Sequence, residues 1–563
     1  MADLDEAIVL GREALELRPQ GHPDRSVSLD NLGAYLSTHY DQLGAMADLD
    51  EAIVLAREAL ELCPQGHPDR STFLNNLGAY LSTRYEQLGA MADLDEAIVL
   101  DQEALELCPQ GYHDRSMSLG SLGVSLSTRY DQLGAMADLD EAIVLAREAL
   151  ELRPQGHPDR STSLNNLGLY LSTRYNQLGA MADLDEAIVL AREALELRPQ
   201  GHPDRSLSLN CLAVHLSTRY NQLGAMADLD EAIVLDQEAL ELRPQGHPDR
   251  SFSLNNLTRP LWTRYNQLGA MADLDVAIVL GREALELLPQ GHPDRSFFLN
   301  NLARPLWTRY NQLGAMADLD EAFVLGREAL ELRPQGHPAR SMSLDSLGTY
   351  LSTRYKQLGA MADLDEAIVL GREALELRPQ GHPDRSTSLN HLGAYLSTRY
   401  NQLGAMADLD EAIVLDQEAL ELRPQGHPDR SLSLNCLAVH LSTRYDQLGE
   451  MEDLDEAFVL GREALELRPQ GHPARSMSLD SLGAYLSTRY KQLGAMADLD
   501  EAIVLGREAL ELRPQGHPDR STSLNNLGAY LLTRYDQLGA MADLDEAIVL
   551  GREARARSKF NYH

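Results

Sequence analysis

MADLDEAIVLGREALELRPQGHPDRSVSLDNLGAYLSTHYDQLGA, residues 1–45, is the stretch that decides the fold. It returns with small changes from Met46, Met91, Met136, Met181, Met226, Met271, Met316, Met361, Met406, Met451 and Met496, always 45 residues on and without insertion. Twelve units fill residues 1–540, and a partial thirteenth begins at Met541. A repeat of this length signals a solenoid, in which each unit buries its apolar faces only against its neighbours. Length alone would suggest several globular domains, but the period overrules that reading.

Within the unit, Leu4, Ala7, Ile8, Gly11, Ala14 and Leu15 fall at helical spacing. Asp3 with Glu6 three residues on reads as a capping box, and Pro19 and Gly21 end the helix. A second helix starts near Pro23-Asp24-Arg25-Ser26. Its stripe is Leu29, Leu32, Leu36, Tyr40 and Leu43, and Gly44 is its expected C-cap. The prediction is an all-α chain of helix hairpins, with small residues Ala7, Gly11, Ala14 and Gly33 allowing close approach.

Composition narrows the function. A net charge of -37 argues against nucleic acid and against anionic membrane as partners. No apolar run is long enough to span a bilayer, and the N-terminus carries acids where a signal peptide needs bases. Cys63, Cys108, Cys211 and Cys436 form no metal or redox spacing, so no disulfide is expected and a reducing, cytoplasmic setting is the default.

The pattern Leu29, Leu32-Gly33, Leu36, followed by Ala52, Ala59 and Pro64, resembles the tetratricopeptide (TPR) repeat. LeuAsnAsnLeu and the GlnGlyHisProAsp loop make it similar to the longer kinesin-light-chain type. The run LNNLG…LSTRYDQLG…DLDEAI…REALELRPQGHPDR resembles the long TPR arrays of basidiomycete fungi, which often precede a CHAT-type protease domain. No such segment is present, so protease activity does not carry over. The resemblance covers residues 1 to about 555 and implies a right-handed superhelix. The LeuAsnAsnLeu helices would line its concave face, and twelve units would exceed one turn. Residues 556–563 are expected to form a disordered basic tail.

Exact repetition builds ladders of one residue type rather than a convergent catalytic cluster, so no enzyme, cofactor or metal is expected. The histidines of the GlyHisPro loops, from His22 to His517 with Tyr112-His113 in the third unit, would stand about one layer apart, too far to share a metal. They read as loop packing or capping. Asp3, Asp5 and Glu6 read as helix N-terminal charge. The Arg of ThrArgTyr (Arg84, Arg129, Arg174 and equivalents; His39 in the first unit) reads as a partner for nearby carboxylates.

The resemblance places one ladder on the concave face: Asn31, Asn76, Asn166, Asn256, Asn301 and Asn526. Amides there can pair with the backbone of an extended peptide. Ser121, Cys211, Ser346, His391, Cys436 and Ser481 interrupt the ladder, and bridging between helices is the rival role. A variable site holds Val27, Thr72, Met117, Leu207, Phe252 and Phe297. Two units read ThrArgProLeuTrp and AlaArgProLeuTrp. Their Pro260 and Pro305 are expected to kink a helix and expose Trp262 and Trp307 as a partner hot spot.

The leading expectation is a non-catalytic scaffold that binds peptide or protein segments along its concave groove. Two rivals stay open: a structural array that self-associates, with end-to-end contact between basic tail and acidic body, and the regulatory arm of a CHAT-type protease. Both ends lie mid-unit and neither resembles a solenoid cap, which reads as a fragment or as ends that associate.

Overall fold

The computed structural model describes residues 2–560 except 113 and 248, with backbone alone at 2 and 556–560. Among the described residues there are twenty-five α-helices and no strand. They open with α1 (Ala2–Glu16), α2 (Arg25–Leu43), α3 (Met46–Glu61) and α4 (Arg70–Leu88). The alternation of 16- and 19-residue helices continues through α24 (Arg520–Leu538), and α25 (Met541–Phe560) closes the chain. Of the expected tail, 556–560 continue α25 in backbone, and 561–563 lie outside the described residues.

Each 19-residue helix ends as the sequence predicts. Gly44 takes the left-handed conformation (φ 72°), and its N–H reaches the Tyr40 carbonyl. The expected capping box is corrected. The 16-residue helices start one turn earlier, with Ala45 and its equivalents at the N-cap and no side-chain cap. Asp48 and its equivalents instead stand in the first turn, where they face the ThrArgTyr residue of the preceding helix. Arg84 holds Asp93 through two bonds of 2.8 and 2.7 Å, and the clamp recurs to Arg534–Asp543. His39 bonds Asp48 at 2.7 Å in the same place. A planar guanidinium fork matches a carboxylate in this way.

Leu49, Ala52, Ala56 and Ala59 are fully buried and let α3 lie close against α2 and α4. Even-numbered helices also approach the next of their kind, whereas odd-numbered ones do not. The even helices therefore form the inner ring of a superhelix and the odd helices its outer wall. Further ion pairs tie each unit to the next, among them Arg25–Glu58 and Arg12–Glu51.

The superhelix is wound so tightly that one turn rests on the next. A Cβ built on Gly44 would stand 1.7 Å from the Gly291 carbonyl oxygen. The same overlap joins Gly89 to Gly336, Gly134 to Gly381, Gly179 to Gly426, Gly224 to Gly471 and Gly269 to Gly516. The constant step means that a turn closes after roughly five and a half units. The C-cap glycines of the first turn thus sit on the GlyHisPro loops of the second. Tyr40, Tyr85, Tyr130, Tyr175 and Tyr220 are sealed beneath this seam.

Carboxylates also meet across the seam. Desolvation by the facing turn, then Asp294 and Asp41, pushes Glu86 up to about 7, although its side chain still opens onto the channel. The same desolvation and Asp384 push the likewise exposed Asp131 up to about 6. Both acids bind protons more tightly folded than unfolded, so stability contributed at the seam is present at low pH and is lost as pH rises toward 7. Protection factors from hydrogen exchange at residues 337–342 and 382–386, which remove the intrinsic base catalysis of exchange, should fall between pH 5 and pH 8. Glu86→Gln with Asp131→Asn should flatten that dependence.

Glycine substitutions separate seam packing from backbone strain. Gly449→Ala pays only for the left-handed conformation, since nothing lies within 4 Å of its added Cβ; the cost is ~1–2 kcal/mol. Gly134→Ala has the same φ but drives a methyl into the Gly381 carbonyl. It should cost more in chemical denaturation, and it alone should lengthen the maximum dimension in small-angle scattering. Equal behaviour of the two variants would contradict a packed seam.

Candidate binding surface

In α4 the residues left open on the inner side are Thr72, Asn76, Ala79, Thr83 and Glu86, at alternating steps of four and three. The opposite stripe, Leu74, Leu77, Leu81 and Tyr85, is buried. The expected asparagine ladder and the variable site therefore both lie on the inner face. Many of the ladder's amides are engaged. Asn76 Nδ2 donates to both Asp30 oxygens at 3.0 and 3.1 Å, Asn301 Nδ2 donates to Asn255 Oδ1 at 3.1 Å, and Asn526 bonds Asp480. Asn31 is exposed in the first unit, and Asn166 and Asn256 are half-buried. Bridging between successive inner helices is thus a role this ladder performs.

The adjacent column, Asp30 and Asn75 with their equivalents, is buried in most units and structural. Asn75 donates to Ser118 at 3.0 Å, and Asn165 to Ser208 at 3.2 Å. At two of the three Asp positions the arginine before the loop proline comes in as counter-ion: Arg378 meets Asp345 at 2.5 Å, and Arg513 meets Asp480; at Asp30 the corresponding residue is Cys63, and Asn76 supplies the donor instead. Arg18 and its equivalents stand at the end of the first helix of the unit, where a cation would suit the helix dipole. They are instead tie-rods, as when buried Arg423 bonds Ser433 Oγ and Asn390 Oδ1 at 2.8 and 3.1 Å.

The loop histidines cap the following helix. His67 Nδ1 accepts the Asp69 N–H at 3.2 Å, and the bond recurs through His517. Under the seam, burial holds His337, His382, His427 and His472 down at about 4, so they are neutral. Among the described residues no group of three or more His, Cys, Asp or Glu is placed to hold a metal. Nor is any helix long and apolar enough to cross a membrane.

The two Pro-Leu-Trp helices, α12 (Arg250–Leu268) and α14 (Arg295–Leu313), keep the span of their equivalents despite Pro260 and Pro305. Their tryptophans are half-buried rather than exposed. Each indole N–H bonds the next inner helix, Trp262 to Thr308 Oγ1 at 2.8 Å and Trp307 to Thr353 Oγ1 at 2.9 Å.

Beside them stand two residues that sequence reasoning passed over, Arg259 and Arg304. Their position holds Ala34, Ala79, Val124, Leu169, Val214, Thr349, Ala394, Val439, Ala484 and Ala529 elsewhere, and that contrast was the available signal. The Arg304 guanidinium lies 5.4 Å from the Trp262 ring centroid, a cation–π contact. Among the described residues neither arginine side chain forms a salt bridge or hydrogen bond with the protein. Burial, then the neighbouring Arg304, pushes Arg259 down, and Asp236 opposes the shift. Asp236 itself is raised to about 8 by burial.

Arg259, Arg304, Asn256, Asn301, Trp262 and Phe297 line one cavity of about 370 Å³. A second, of about 470 Å³, joins the same arginines to Ala474 and Met477 across the seam. Ala474 stands where most loops carry Asp, and the carboxylate that the opposing turn brings to this cavity comes from the next loop, Asp519, with Arg513 also in the lining. The arrangement can hold an anionic group between two guanidinia with an aromatic floor.

The sequence model described as tetratricopeptide repeat matches residues 26–69, 116–159, 160–204, 341–384, 385–429, 476–519 and 520–555, more than half of the chain. None of the curated proteins matches. Among solved structures, the human IFIT1 dimer with m7Gppp-AAAA is similar at 15% identity and a TM-score of 0.47, over 91% of this chain and 94% of that one. Yeast Tom70 is similar at 16% and 0.35, over 90% and 96%. A Podosopora anserina putative kinesin light chain with nearly identical TPR-like repeats is similar at 20% and 0.29, over 39% and 98%. The matched segments begin at the second helix of the unit, which makes Arg25–Glu61 the structural hairpin, and on this evidence the chain belongs to the tetratricopeptide repeat family.

Proposed function

We propose that the protein is a non-catalytic scaffold that takes an acidic segment of a partner protein onto its inner face, anchored at Arg259 and Arg304. The observation that carries this reading is a pair of inward guanidinia that make no salt bridge or hydrogen bond with the protein among the described residues, in a chain of net charge -37, with Asp236, itself raised to about 8 by burial, as the acid lining their cavity. A bidentate carboxylate would satisfy each fork, and free donors on Asn256 and its neighbours would serve the peptide backbone. Variation at 27, 34 and their equivalents, in an otherwise frozen repeat, supports recognition on this face. A carboxylate or two can enter past the acids of the seam, whereas a phosphodiester chain would meet Glu86, Asp131 and Asp429 along its length.

Trp262 and Trp307 are the only tryptophans, so their emission reports on this cavity. Short acidic, neutral and basic peptides of matched length, and single-stranded RNA, should be titrated against it. Acidic peptides should bind and perturb the emission. Arg259→Ala and Arg304→Ala should each weaken binding about tenfold to a hundredfold, from ~1.5–3 kcal/mol per hydrogen-bonded charge. Asn256→Ala should weaken it less. Binding of no peptide, or of acidic and basic peptides alike, refutes the anchoring role, and tight RNA binding replaces it.

A further inference from the structure

The seam between turns leaves two matching surfaces unused. The second turn ends in a rim of C-cap glycines, Gly314, Gly359, Gly404, Gly449, Gly494 and Gly539, none with anything near its open side. The first turn begins with a rim of GlyHisPro loops at Gly21, Gly66, Gly111, Gly156, Gly201 and Gly246, equally uncovered. These are the equivalent positions, in other units, of the two surfaces that mate inside the molecule. Exposure confirms that one set lacks its cover. Leu88, Leu133, Leu178, Leu223 and Leu268 on the covered rim are 39–46% exposed; on the open rim Leu358, Leu403, Leu448, Leu493 and Leu538 are 51–62% exposed, and Leu313, where the open rim begins, is 43% exposed.

Charge distinguishes the open pair from the internal one. Inside, the residue before the helix end faces the loop acid: Asp41 meets Asp294 and Asp131 meets Asp384, with no opposite-charge pair at these positions. On the open rim the corresponding places hold Asn311, Lys356, Asn401, Asp446, Lys491 and Asp536. Lys356 and Lys491 are exposed, without a salt bridge, and are the only lysines apart from Lys559. The open loops opposite carry exposed Asp24, Asp69, Asp159 and Asp204.

We infer that a second copy of this chain stacks rim to rim on the first, its GlyHisPro loops seated on the C-cap glycines of the other and its loop aspartates paired with Lys356 and Lys491. In the internal register α25 of one copy would coincide with α1 of the next, because residues 541–554 repeat residues 1–14. Identical units allow a slip of one unit, which removes the overlap. Gly359, Gly404, Gly449, Gly494 and Gly539 then meet Gly21, Gly66, Gly111, Gly156 and Gly201. Lys356 faces Asp24 and Lys491 faces Asp159, while Asp446 and Asp536 repeat the like-charge contacts already tolerated inside. The contact is head-to-tail, so it does not close and generates a tube.

Sedimentation velocity of the 563-residue chain over a concentration series tests this, at low and high salt. The mass should rise beyond a dimer at low salt and fall back at high salt, where exposed pairs are screened. Lys356→Glu with Lys491→Glu, its helicity verified by circular dichroism, should remain a single chain. Adding Asp24→Lys and Asp159→Lys to that variant should restore the larger species. Carbodiimide cross-links should join Lys356 or Lys491 to peptides holding Asp24, Asp69, Asp159 or Asp204. A single-chain mass at every concentration, association untouched by the lysine changes, or cross-links confined to other faces would overturn the proposal.

Discussion

One step, repeated, governs the molecule. Each hairpin meets the next through the same buried alanines, the same leucines and the same ion pairs, as at Ala52, Ala59, Leu74 and Arg25–Glu58. Because the residues at every joint are nearly the same, the rotation at every joint is nearly the same. A small rotation repeated without insertion must close a turn, and here the closure brings a left-handed glycine onto a loop carbonyl six times over. Nothing in a single hairpin calls for that contact. A side chain at Gly89 or Gly224 would prop the turns apart, so the C-cap glycine serves two purposes: it ends a helix and it lets the coil close.

Near-identical sequences consequently live in different surroundings. Tyr85 and Tyr130, under the seam, have hydroxyls pushed up to about 12 by burial, and Tyr445 on the open rim is raised less. His67 keeps a third of its side chain in solvent, whereas His292 on a seam loop keeps under a tenth. Environment is set by place in the coil, not by place in the unit. The substitutions Ala339 and Ala474 make sense on that footing. Both fall in loops of the covered turn; Ala339 lies beside Glu86, where an aspartate would add a third acid near Asp294.

The period, the two helical stripes and the proline-glycine punctuation were enough to fix the hairpin and its family from sequence, because local patterning and neighbour packing coincide in a solenoid. The misreading of Asp3 has a physical source. An aspartate just ahead of an apolar stripe satisfies the pattern of an N-cap, yet Asp48 and Asp93 are worth more as partners for His39 and Arg84 nine residues upstream. The seam was not legible, since it depends on the summed rotation of about five and a half joints and no single residue encodes it. Arg259 and Arg304 were legible in principle. What the sequence does not show is that this helix position faces the channel, which depends on the packing of neighbouring units.

Repetition also decides where specificity can reside. A ladder of identical side chains offers a ligand many equivalent registers, so recognition at one place requires a departure from the repeat. The strongest cluster of departures is Phe252, Arg259, Pro260 and Trp262, followed by Phe297, Arg304, Pro305 and Trp307. Those two inner helices flank the point where the covered rim, ending at Gly269, gives way to the open rim, starting at Gly314. They stand mid-coil, with inner faces turned toward loops of the opposite turn at Ala474. Pro260 and Pro305 are buried, and each leaves one carbonyl of its helix, that of Asn256 and of Asn301, without its usual N–H donor. Arg259 and Arg304 are exposed toward the channel and repel one another, so packing gives no reason for two arginines there. Their occurrence at this inner-face position in these two units and in no other is a departure that a ligand of opposite charge would explain.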